Sequence, residues 1–332
     1  MYPKNFIEIG KNIADTKGSC NIYCDGNELI TENKNEIFVM YLQNDNIKTG
    51  FYDMKKSEAL KKLYFTKECD ENDIEYMKKL IINSNDVFFH ELNKSTVNRI
   101  KTASQYVSKD INREFMQGVF FDKGKIVATD GRIMYVANGI KEFPECQIRV
   151  TKALLEILDK ADYIEIGLKY ALNENNVNLP KYVLINFRIG TESYFYSSKL
   201  IDSMFPRWRA VVPENQKFHI MPIDKKIFNE IYKTNKKLAS KQNNRLFFTI
   251  EDPNRVTVSN KDIGVTYDTI NWHVEPDDEN STVFAFNPDF LNTILKSGDL
   301  TDISYTLFYK AFTFTFVDDS YVIAMPMNIK EY

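Results

Sequence analysis

The sequence predicts an α+β protein built from three domains of one kind. Two observations lead to this prediction: amphipathic helical patterns alternate with β-rich runs along the chain, and a nine-residue turn-and-strand pattern occurs three times. The copies start roughly 100 and 130 residues apart, which is the spacing of whole domains rather than of solenoid units. We therefore expect helices on one face of antiparallel sheets, in domains 1–92, 93–215 and 216–332.

The repeated pattern begins with Asp, continues with a turn former and then runs through β-type apolar residues, as in a hairpin followed by a strand. Its three copies are Asp25–Asn33, Asp122–Asp130 and Asp252–Asn260. Two further β-rich stretches support the sheets. Val183–Ser198 contains two runs around a glycine-centred turn, and Phe312–Phe316 alternates strictly between apolar and polar residues.

The helical patterns place apolar residues on one stripe and lysine or arginine on the other. Thr96–Ser108 has the stripe Val97, Ile100, Ala103 or Ser104, and Val107; Ile227–Ala239 has Ile227, Ile231 and Leu238; and the shorter stretch Asn5–Asp15 has Phe6, Ile9 and Ile13. Additional helices fit Lys152–Lys160 and Pro288–Lys296. Because its helix is the shortest, the first domain is predicted to be reduced.

The net charge of −3 by itself argues against a nucleic-acid partner, but the charges are unevenly distributed along the chain. Residues 223–245 contain seven basic and two acidic side chains, so the rest of the chain is acidic. A basic segment in an otherwise acidic chain can attract phosphates locally. A lysine-rich helix face that only meets solvent is the alternative.

The residues that would indicate an enzyme are sparse. The histidines His90, His219 and His273 stand alone, no phosphate-binding glycine motif or nucleophile motif occurs, and the Asp277–Asp278 and Asp318–Asp319 pairs lie in turn-like contexts. The four cysteines include one close pair, Cys20 and Cys24, without a second pair that would complete a zinc site. We therefore predict a non-enzymatic, cytoplasmic protein with reduced thiols and with no metal or cofactor; neither a signal peptide nor an apolar run of about 18 residues is apparent.

Four collinear segments resemble the bacterial DNA polymerase III beta clamp family. Val127–Val136 (VATDGRIMYV) is similar to the V-A-T-D-G-H-R-L-A-V segment of that family, and Ser197–Asn215 to its T-S-K-L-V-D-G-x-F-P-D-Y-x-x-V-x-P-x-N segment. Phe284–Leu291 and Tyr321–Met327 resemble its I-G-F-N-x-x-Y-L and Y-V-V-M-P-M segments. The resemblance covers about residues 93–332, and the first domain matches only loosely, through Cys24–Leu42.

The resemblance implies two chains joined head to tail into a ring, with helices lining a lumen, antiparallel sheets outside and double-stranded DNA threaded through without base readout. It also explains the basic helices, because a lysine-lined lumen attracts phosphates. The residues expected to include the DNA-facing set are Lys94, Arg99, Lys101, Lys109, Lys225, Lys226, Lys233, Lys236, Lys237 and Lys241.

The family's second site is a hydrophobic cleft between domains two and three, which binds short linear motifs of polymerases, clamp loaders and repair proteins. Methionines suit such a cleft because they repack around different ligands. Carried over by position, its residues are Met116, Thr129, Gly131, Arg132, Ile133, Met134, Pro206, Val211, Asn287, Phe290, Ile323, Met325, Pro326 and Met327. The alternative is that these are ordinary core residues.

The chain departs from the family pattern at several positions. Ile133 and Ala210 stand where arginines are common, which weakens polar anchoring of a peptide, and Asn328–Tyr332 extends past the usual end. The short first domain suggests the loss of a helix or strands and puts the usual dimer contact in doubt. These changes fit a divergent clamp, such as one encoded by a phage or a low-GC bacterium.

Three functions are therefore weighed. The leading interpretation is a homodimeric sliding clamp that acts as a polymerase processivity factor. The second is a clamp-fold interaction or decoy protein that binds replication proteins without encircling DNA. The third is a DNA-modifying enzyme with a concealed carboxylate site, which would have to show metal-dependent turnover.

Overall fold

A computed structural model describes residues 3–13, 21–24, 27–42, 47–63, 65–67, 87–172, 176–214, 218–220, 224–240, 242, 244–271, 273–274 and 283–329. The described strand pairs are antiparallel and alternate with helices, so the predicted α+β class is confirmed. None of the helices in these ranges is long and apolar enough to cross a bilayer.

The described part of the chain contains the following elements, numbered along the sequence. The helices are α1 (Lys4–Gly10), α2 (Met54–Leu60), α3 (Lys94–Ala103), α4 (Lys152–Lys160), α5 (Lys225–Leu238) and α6 (Pro288–Ser297). The strands are β1 (Asn21–Cys24), β2 (Glu28–Glu32), β3 (Glu36–Tyr41), β4 (Gly50–Asp53), β5 (Phe65–Lys67), β6 (Phe89–Glu91), β7 (Gly118–Asp122), β8 (Lys125–Thr129), β9 (Ile133–Asn138), β10 (Cys146–Arg149), β11 (Tyr163–Leu172), β12 (Asn178–Ile189), β13 (Glu192–Lys199), β14 (Phe218–Ile220), β15 (Leu246–Asp252), β16 (Arg255–Asn260), β17 (Val265–Asn271), β18 (Val283–Phe286), β19 (Leu300–Tyr305), β20 (Phe312–Phe316) and β21 (Tyr321–Ala324).

The first of two compact units comprises Met1–Lys101, Gln117–Gly124 and Ile140–Met204. Its main sheet has nine strands in the order β5-β4-β1-β2-β3-β13-β12-β11-β6, so the N-terminal strands and those of the 163–199 region form one sheet. The strands β3 and β13 join these two groups, with Phe38 opposite Tyr196.

Aromatic packing explains where the core of this unit lies. Phe6 on α1 stacks on Phe38 of β3 at 5.0 Å between ring centroids, and Phe187 stacks on Tyr194 at the same spacing. Phe6, Ile9 and Ile13 are all buried, as the stripe predicted for the first helix requires.

The helix α4 begins after Thr151, whose hydroxyl accepts a hydrogen bond from the Leu154 amide.

The second unit comprises Thr102–Met116, Lys125–Gly139 and Phe205–Tyr332. Six of its strands are neighbours in the order β8-β9-β21-β20-β19-β14, and four others form the sheet β17-β16-β15-β18. In the first group β9 pairs with β21, with Met134 opposite Ile323. The segments that resemble the clamp motifs around residues 130 and 320 are therefore adjacent strands.

The two units do not follow the three predicted domains, because segment 93–215 contributes to both of them. The boundaries at residues 92 and 215 thus stay a prediction. Both α1 and α2, of seven residues each, lie within residues 1–92. The expected loss of a helix or strands from the first domain stays a prediction.

The register of α5 differs from the prediction by about one position. Ile231 is buried as expected, but Ile227 and Leu238 are 37% and 55% exposed, whereas Phe228 and Asn235 are at most 1% exposed. The buried face therefore contains a polar residue. Asn235 is accommodated because its amide oxygen accepts hydrogen bonds from Asn260 and Tyr267.

Two of the cysteines lie within the described ranges. Cys24 and Cys146 are both buried, and Cys146 is in no disulfide within these ranges. Burial raises the pKa of the Cys146 thiol well above its ordinary value. Cys20 and Cys69 lie outside the described residues.

Candidate peptide groove and basic helices

The T-D-G turn between β8 and β9 is held by its own side chains. Asp130 Oδ1 accepts hydrogen bonds from the amides of Arg132 (2.8 Å) and Ile133 (3.0 Å). Thr129 Oγ1 donates to the carbonyl of Ile133 at 2.7 Å and accepts from the amide of Gly131. Gly131 has φ +91°, which favours glycine. The motif therefore fixes a turn that leaves the side chain of Arg132 exposed.

The segment after β21 extends along this turn. The Met325 amide donates to the carbonyl of Arg132 at 3.1 Å, and the Met327 amide donates to the carbonyl of Ala285 at 2.8 Å. The Met325 side chain is exposed. The terminal motif thus ties the turn at residue 132 to β18, and β18 leads directly into α6.

The helix α6 begins beside the same turn. Asn287 caps it, because its side-chain oxygen accepts a hydrogen bond from the Asp289 amide at 2.8 Å. Pro288 follows in the first turn, where its missing N–H costs nothing. This cap directs Asp289, Phe290 and Thr293 toward an open groove.

The groove has a volume of about 370 Å³. Three segments of the second unit form it: the region after α3, the T-D-G turn and the start of α6. Its lining residues are Gln105, Val107, Ser108, Lys109, Asp110, Arg113, Asp130, Arg132, Ile133, Asp289, Phe290 and Thr293. This lining combines three apolar side chains, Val107, Ile133 and Phe290, with six charged ones.

Tyr106 connects α6 with β9. Its hydroxyl lies 2.7 Å from Ser297 Oγ on α6, and its ring stacks on Tyr135 of β9 at 5.4 Å. Burial raises the pKa of Tyr106, so this hydroxyl stays protonated and available for the hydrogen bond. The last turn of α6 is thereby fixed to the segment that follows α3.

The structure places the predicted cleft residues in several different surroundings. Arg132, Ile133 and Phe290 line the groove. Met116, Thr129, Met134 and Ile323 are buried next to it in sequence or in the sheet, and Asn287 caps α6. Gly131 lies in the turn, Val211 and Met325 are exposed, and Pro206, Pro326 and Met327 are partly buried.

Sequence reasoning missed the groove residues that follow α3. Gln105, Val107, Ser108, Asp110 and Arg113 carry no motif, and no local pattern indicates that they lie beside the T-D-G turn. Lys109, predicted as a DNA contact, also lines the groove, because α3 ends at Ala103 and not at Ser108.

The helix α5 carries five of the ten residues in the predicted basic set. Lys226, Lys233 and Lys237 are exposed, and none of their ammonium groups makes an ion pair or hydrogen bond within the described residues. Lys236 Nζ donates a hydrogen bond of 3.2 Å to Tyr232 Oη, and this hydrogen bond raises the pKa of Lys236. Lys241 lies outside the described residues.

Two members of the basic set are neutralised by acids. Lys225 Nζ lies 2.8 Å from Asp299, and this hydrogen bond lowers the pKa of the Asp299 carboxyl. Lys101 forms an ion pair with Asp159. Both lysines therefore have less charge to offer a phosphate than Lys94, which is exposed on α3; Arg99 is partly buried there.

The described ranges hold no group of three or more histidine, cysteine, aspartate or glutamate side chains arranged to bind a metal ion. His90 packs edge-on against Phe143 in the first unit, and His273 contacts Asn254 in the second. The side chain of His219 is outside the described set.

No protein-family model matches the chain, and no curated protein matches it. Solved structures do. The beta sliding clamp of Caulobacter crescentus superimposes with a TM-score of 0.76 at 11% identity, over 97% of this chain and 96% of that one. The DNA polymerase III beta subunit of Thermotoga maritima gives 0.74 at 17% identity, over 99% and 97%.

A third structure, the DnaN sliding clamp of Bartonella birtlesii bound to griselimycin, gives a TM-score of 0.73 at 13% identity over 99% of both chains. The likeness therefore extends over nearly the whole length of each protein. The fold of this chain is that of the bacterial DNA polymerase III beta sliding clamps, which confirms the resemblance seen in the four sequence segments.

Proposed function

We propose that this chain, with its sliding-clamp fold, is a cytoplasmic, non-enzymatic polymerase processivity factor that encircles duplex DNA and binds partner proteins by short peptide motifs. The observation that carries the proposal is the agreement of fold with beta sliding clamps over 97% or more of the chain. The groove and the basic helices are the two features that such a function needs.

The DNA-binding part of the proposal rests on α5. Its exposed lysines are mobile cations on a helix in a chain whose net charge is −3. Flexible ammonium groups attract phosphates without reading base edges, so they hold DNA and still permit sliding. A base-specific contact worth about 1 to 3 kcal/mol would instead trap the protein at one sequence.

The peptide-binding part rests on the groove of the second unit. Phe290 supplies apolar surface, the buried Ile133 lines the groove, and the exposed Met325 belongs to the segment hydrogen-bonded to Arg132. Polymerases, clamp loaders and repair proteins are the proposed partners, each through a short linear motif. Because a methionine adapts its shape, one groove can serve several motifs.

The oligomer that we propose is a homodimer closed head to tail. The resemblance implies a ring of two chains, so in this proposal a second copy supplies the other half of the ring. The short α1 and α2 lie in the domain that would take part in the closure.

The proposal is tested by loading the protein onto nicked circular DNA and linearising half of the sample. Encirclement predicts retention on circles, weakening with salt, and loss from linear DNA. Equal retention on both forms would contradict it. Light scattering at micromolar concentration provides the second measurement, because a strict monomer that still binds peptides would favour the clamp-fold decoy.

A further inference from the structure

The open end of the β8–β9 hairpin, opposite the T-D-G turn, carries the single Asn-Gly pair of the sequence, Asn138–Gly139. Asn138 is the last residue of β9 and is exposed, and Gly139 follows it outside the strand. In such a pair no side chain shields the backbone nitrogen of the second residue, so this nitrogen can reach the side-chain carboxamide of the asparagine. The pair is therefore a candidate for a covalent change that needs no enzyme.

Packing requires glycine at the second position of the pair. A Cβ atom built on Gly139 would lie 2.7 Å from Cγ1 of Ile126, which is closer than two carbon atoms pack. Ile126 lies opposite Ala137 in the β8–β9 ladder and is fully buried, so its side chain has little room to withdraw. The contact that closes this end of the hairpin thus also requires the residue that makes the pair reactive.

A cation holds the side chain of Asn138. Lys125 lies directly opposite Asn138 in the ladder, and its Nζ donates a hydrogen bond of 2.7 Å to Asn138 Oδ1. The ammonium group draws electrons from the carboxamide carbon, and it lies beside the oxygen that becomes negative when a nucleophile adds to that carbon. Lys125 is therefore positioned to accelerate an attack on the carboxamide.

The position at the end of the strand permits the rotation that such an attack needs. The Lys125–Asn138 pair is the last pair of the β8–β9 ladder, and β21 pairs with β9 at Ile133–Val136. The bond between Asn138 and Gly139 can therefore turn without separating the strand pairs further along β9. Local opening at a strand end needs much less free energy than unfolding of the sheet.

We propose that Asn138 is a site of spontaneous deamidation in the folded chain, with Gly139 as the attacking residue and Lys125 as the activating one. The Gly139 nitrogen loses its proton and bonds to Cγ of Asn138. The bond from Cγ to the side-chain nitrogen breaks, and this nitrogen takes up a proton and leaves as ammonia. Water then opens either carbonyl of the resulting succinimide ring, which gives aspartate or isoaspartate and one new carboxylate.

The two products differ in their effect on the hairpin. Aspartate leaves the main chain unchanged and replaces the hydrogen bond to Lys125 by an ion pair in the same place. Isoaspartate adds a methylene group to the main chain before Gly139, which displaces Gly139 from its contact with Ile126. We therefore expect Asn138→Asp to match the parent in stability and the isoaspartyl chain to unfold more readily.

The test is incubation of the full chain at neutral and at mildly alkaline pH in water labelled with heavy oxygen, followed by peptide mass mapping. We expect conversion of Asn138 with uptake of the label, faster at alkaline pH because the attacking nitrogen must lose a proton. Part of the product should be a substrate for an isoaspartyl methyltransferase. Asn254, which is exposed in a turn and precedes Arg255, is the internal reference and should keep its amide.

One variant separates the role of Lys125 from that of the Asn-Gly pair. Lys125→Gln should slow the conversion in the folded chain about two- to fivefold, the effect of one exposed charge. Lys310→Gln, at an exposed lysine in another turn of the second unit, should leave the rate unchanged. In chains unfolded by urea, Lys125→Gln and the parent should react at the same rate, because the contact with Asn138 is then lost.

Two results would overturn the proposal. The first is a folded chain in which Asn138 keeps its amide over a period that converts a synthetic peptide of residues 134–143 completely. The second is an equal rate for folded Lys125→Gln and folded parent, because the reaction would then depend on the Asn-Gly pair alone. Loss of the amide from Asn254 at the rate of Asn138 would contradict it in the same way.

Discussion

Tyr232 on α5 donates a hydrogen bond of 2.8 Å to the carboxylate of Asp289 on α6. Tyr232 stands among the exposed lysines of α5, whereas Asp289 lines the peptide groove. Asn244 donates to the second oxygen of the same carboxylate. One acidic side chain therefore joins the candidate DNA surface to the candidate peptide site.

Removing the hydroxyl of Tyr232 should weaken the contact between α5 and α6. We expect Tyr232→Phe to lower the free energy of unfolding of the second unit by about 0.5 to 1.5 kcal/mol, the usual net value of one hydrogen bond. Hydrogen exchange at the amides of α6 measures the effect locally. Tyr309→Phe, which alters an exposed tyrosine in a turn, is the matched control. Equal protection of α6 in both variants would show that the bond contributes nothing.

Asn235 should stabilise the folded chain more than an apolar residue at the same position would. Its side chain is 0% exposed, accepts from Asn260 (2.8 Å) and Tyr267 (2.6 Å) and donates to Asn244 (2.9 Å). Asn235→Leu leaves the buried Asn260 amide without its acceptor, at a cost of about 1 to 3 kcal/mol in unfolding free energy.

Urea denaturation of Asn235→Leu provides the measurement, with Asn229→Leu as its control. Asn229 lies earlier on α5 and is exposed, so the same replacement there should change stability by less than about 0.5 kcal/mol. A neutral or stabilising effect at position 235 would mean that the polar cluster around Asn260 is satisfied without this side chain.

The lysines of α5 should differ in their effect on DNA binding. Lys226→Gln, Lys233→Gln and Lys237→Gln should each reduce the slope of log affinity against log salt by about 0.9 for every duplex phosphate that the variant no longer neutralises. Lys225→Gln should change the slope less, because Asp299 lies 2.8 Å from the ammonium group. Fluorescence anisotropy across a salt series gives the slopes, and four equal changes would contradict the distinction.

Acid should weaken the contact between α1 and α4. A hydrogen bond from Lys160 lowers the pKa of Glu8 below its ordinary value of 4.5, despite partial burial. Because the folded pKa is the lower one, the stabilisation is complete above about pH 4.5 and is lost as pH falls through the lowered value. The side chains are less than a third exposed, so the expected contribution is about 0.2 to 1 kcal/mol.

Unfolding of Glu8→Gln as a function of pH tests this expectation. The variant should be less stable than the parent near neutral pH, and the difference should shrink in acid. Glu142→Gln, at an exposed site away from Lys160, serves for comparison. A difference that stays constant down to acidic pH would assign the effect to packing and not to the charge.

Much of the fold follows from the sequence because it depends on neighbours a few residues apart. The helix Lys152–Lys160 and the strand Phe312–Phe316 have the predicted bounds, since periodicity and strict alternation are local signals. The turn at Gly131 is likewise set by Thr129 and Asp130. These local motifs carried the resemblance to the clamp fold.

The sequence by itself thus determined the α+β class, the position of five of the six described helices and of some strands, and the family that the fold resembles. Only the tertiary structure decided which side of α5 is buried, that Asp299 neutralises Lys225 from 74 positions away, and that residues 105–113 face α6 across a groove. The physical reason is range: periodicity and turn chemistry act within a few residues, whereas ion pairing and groove lining need side chains that the folded chain alone brings together.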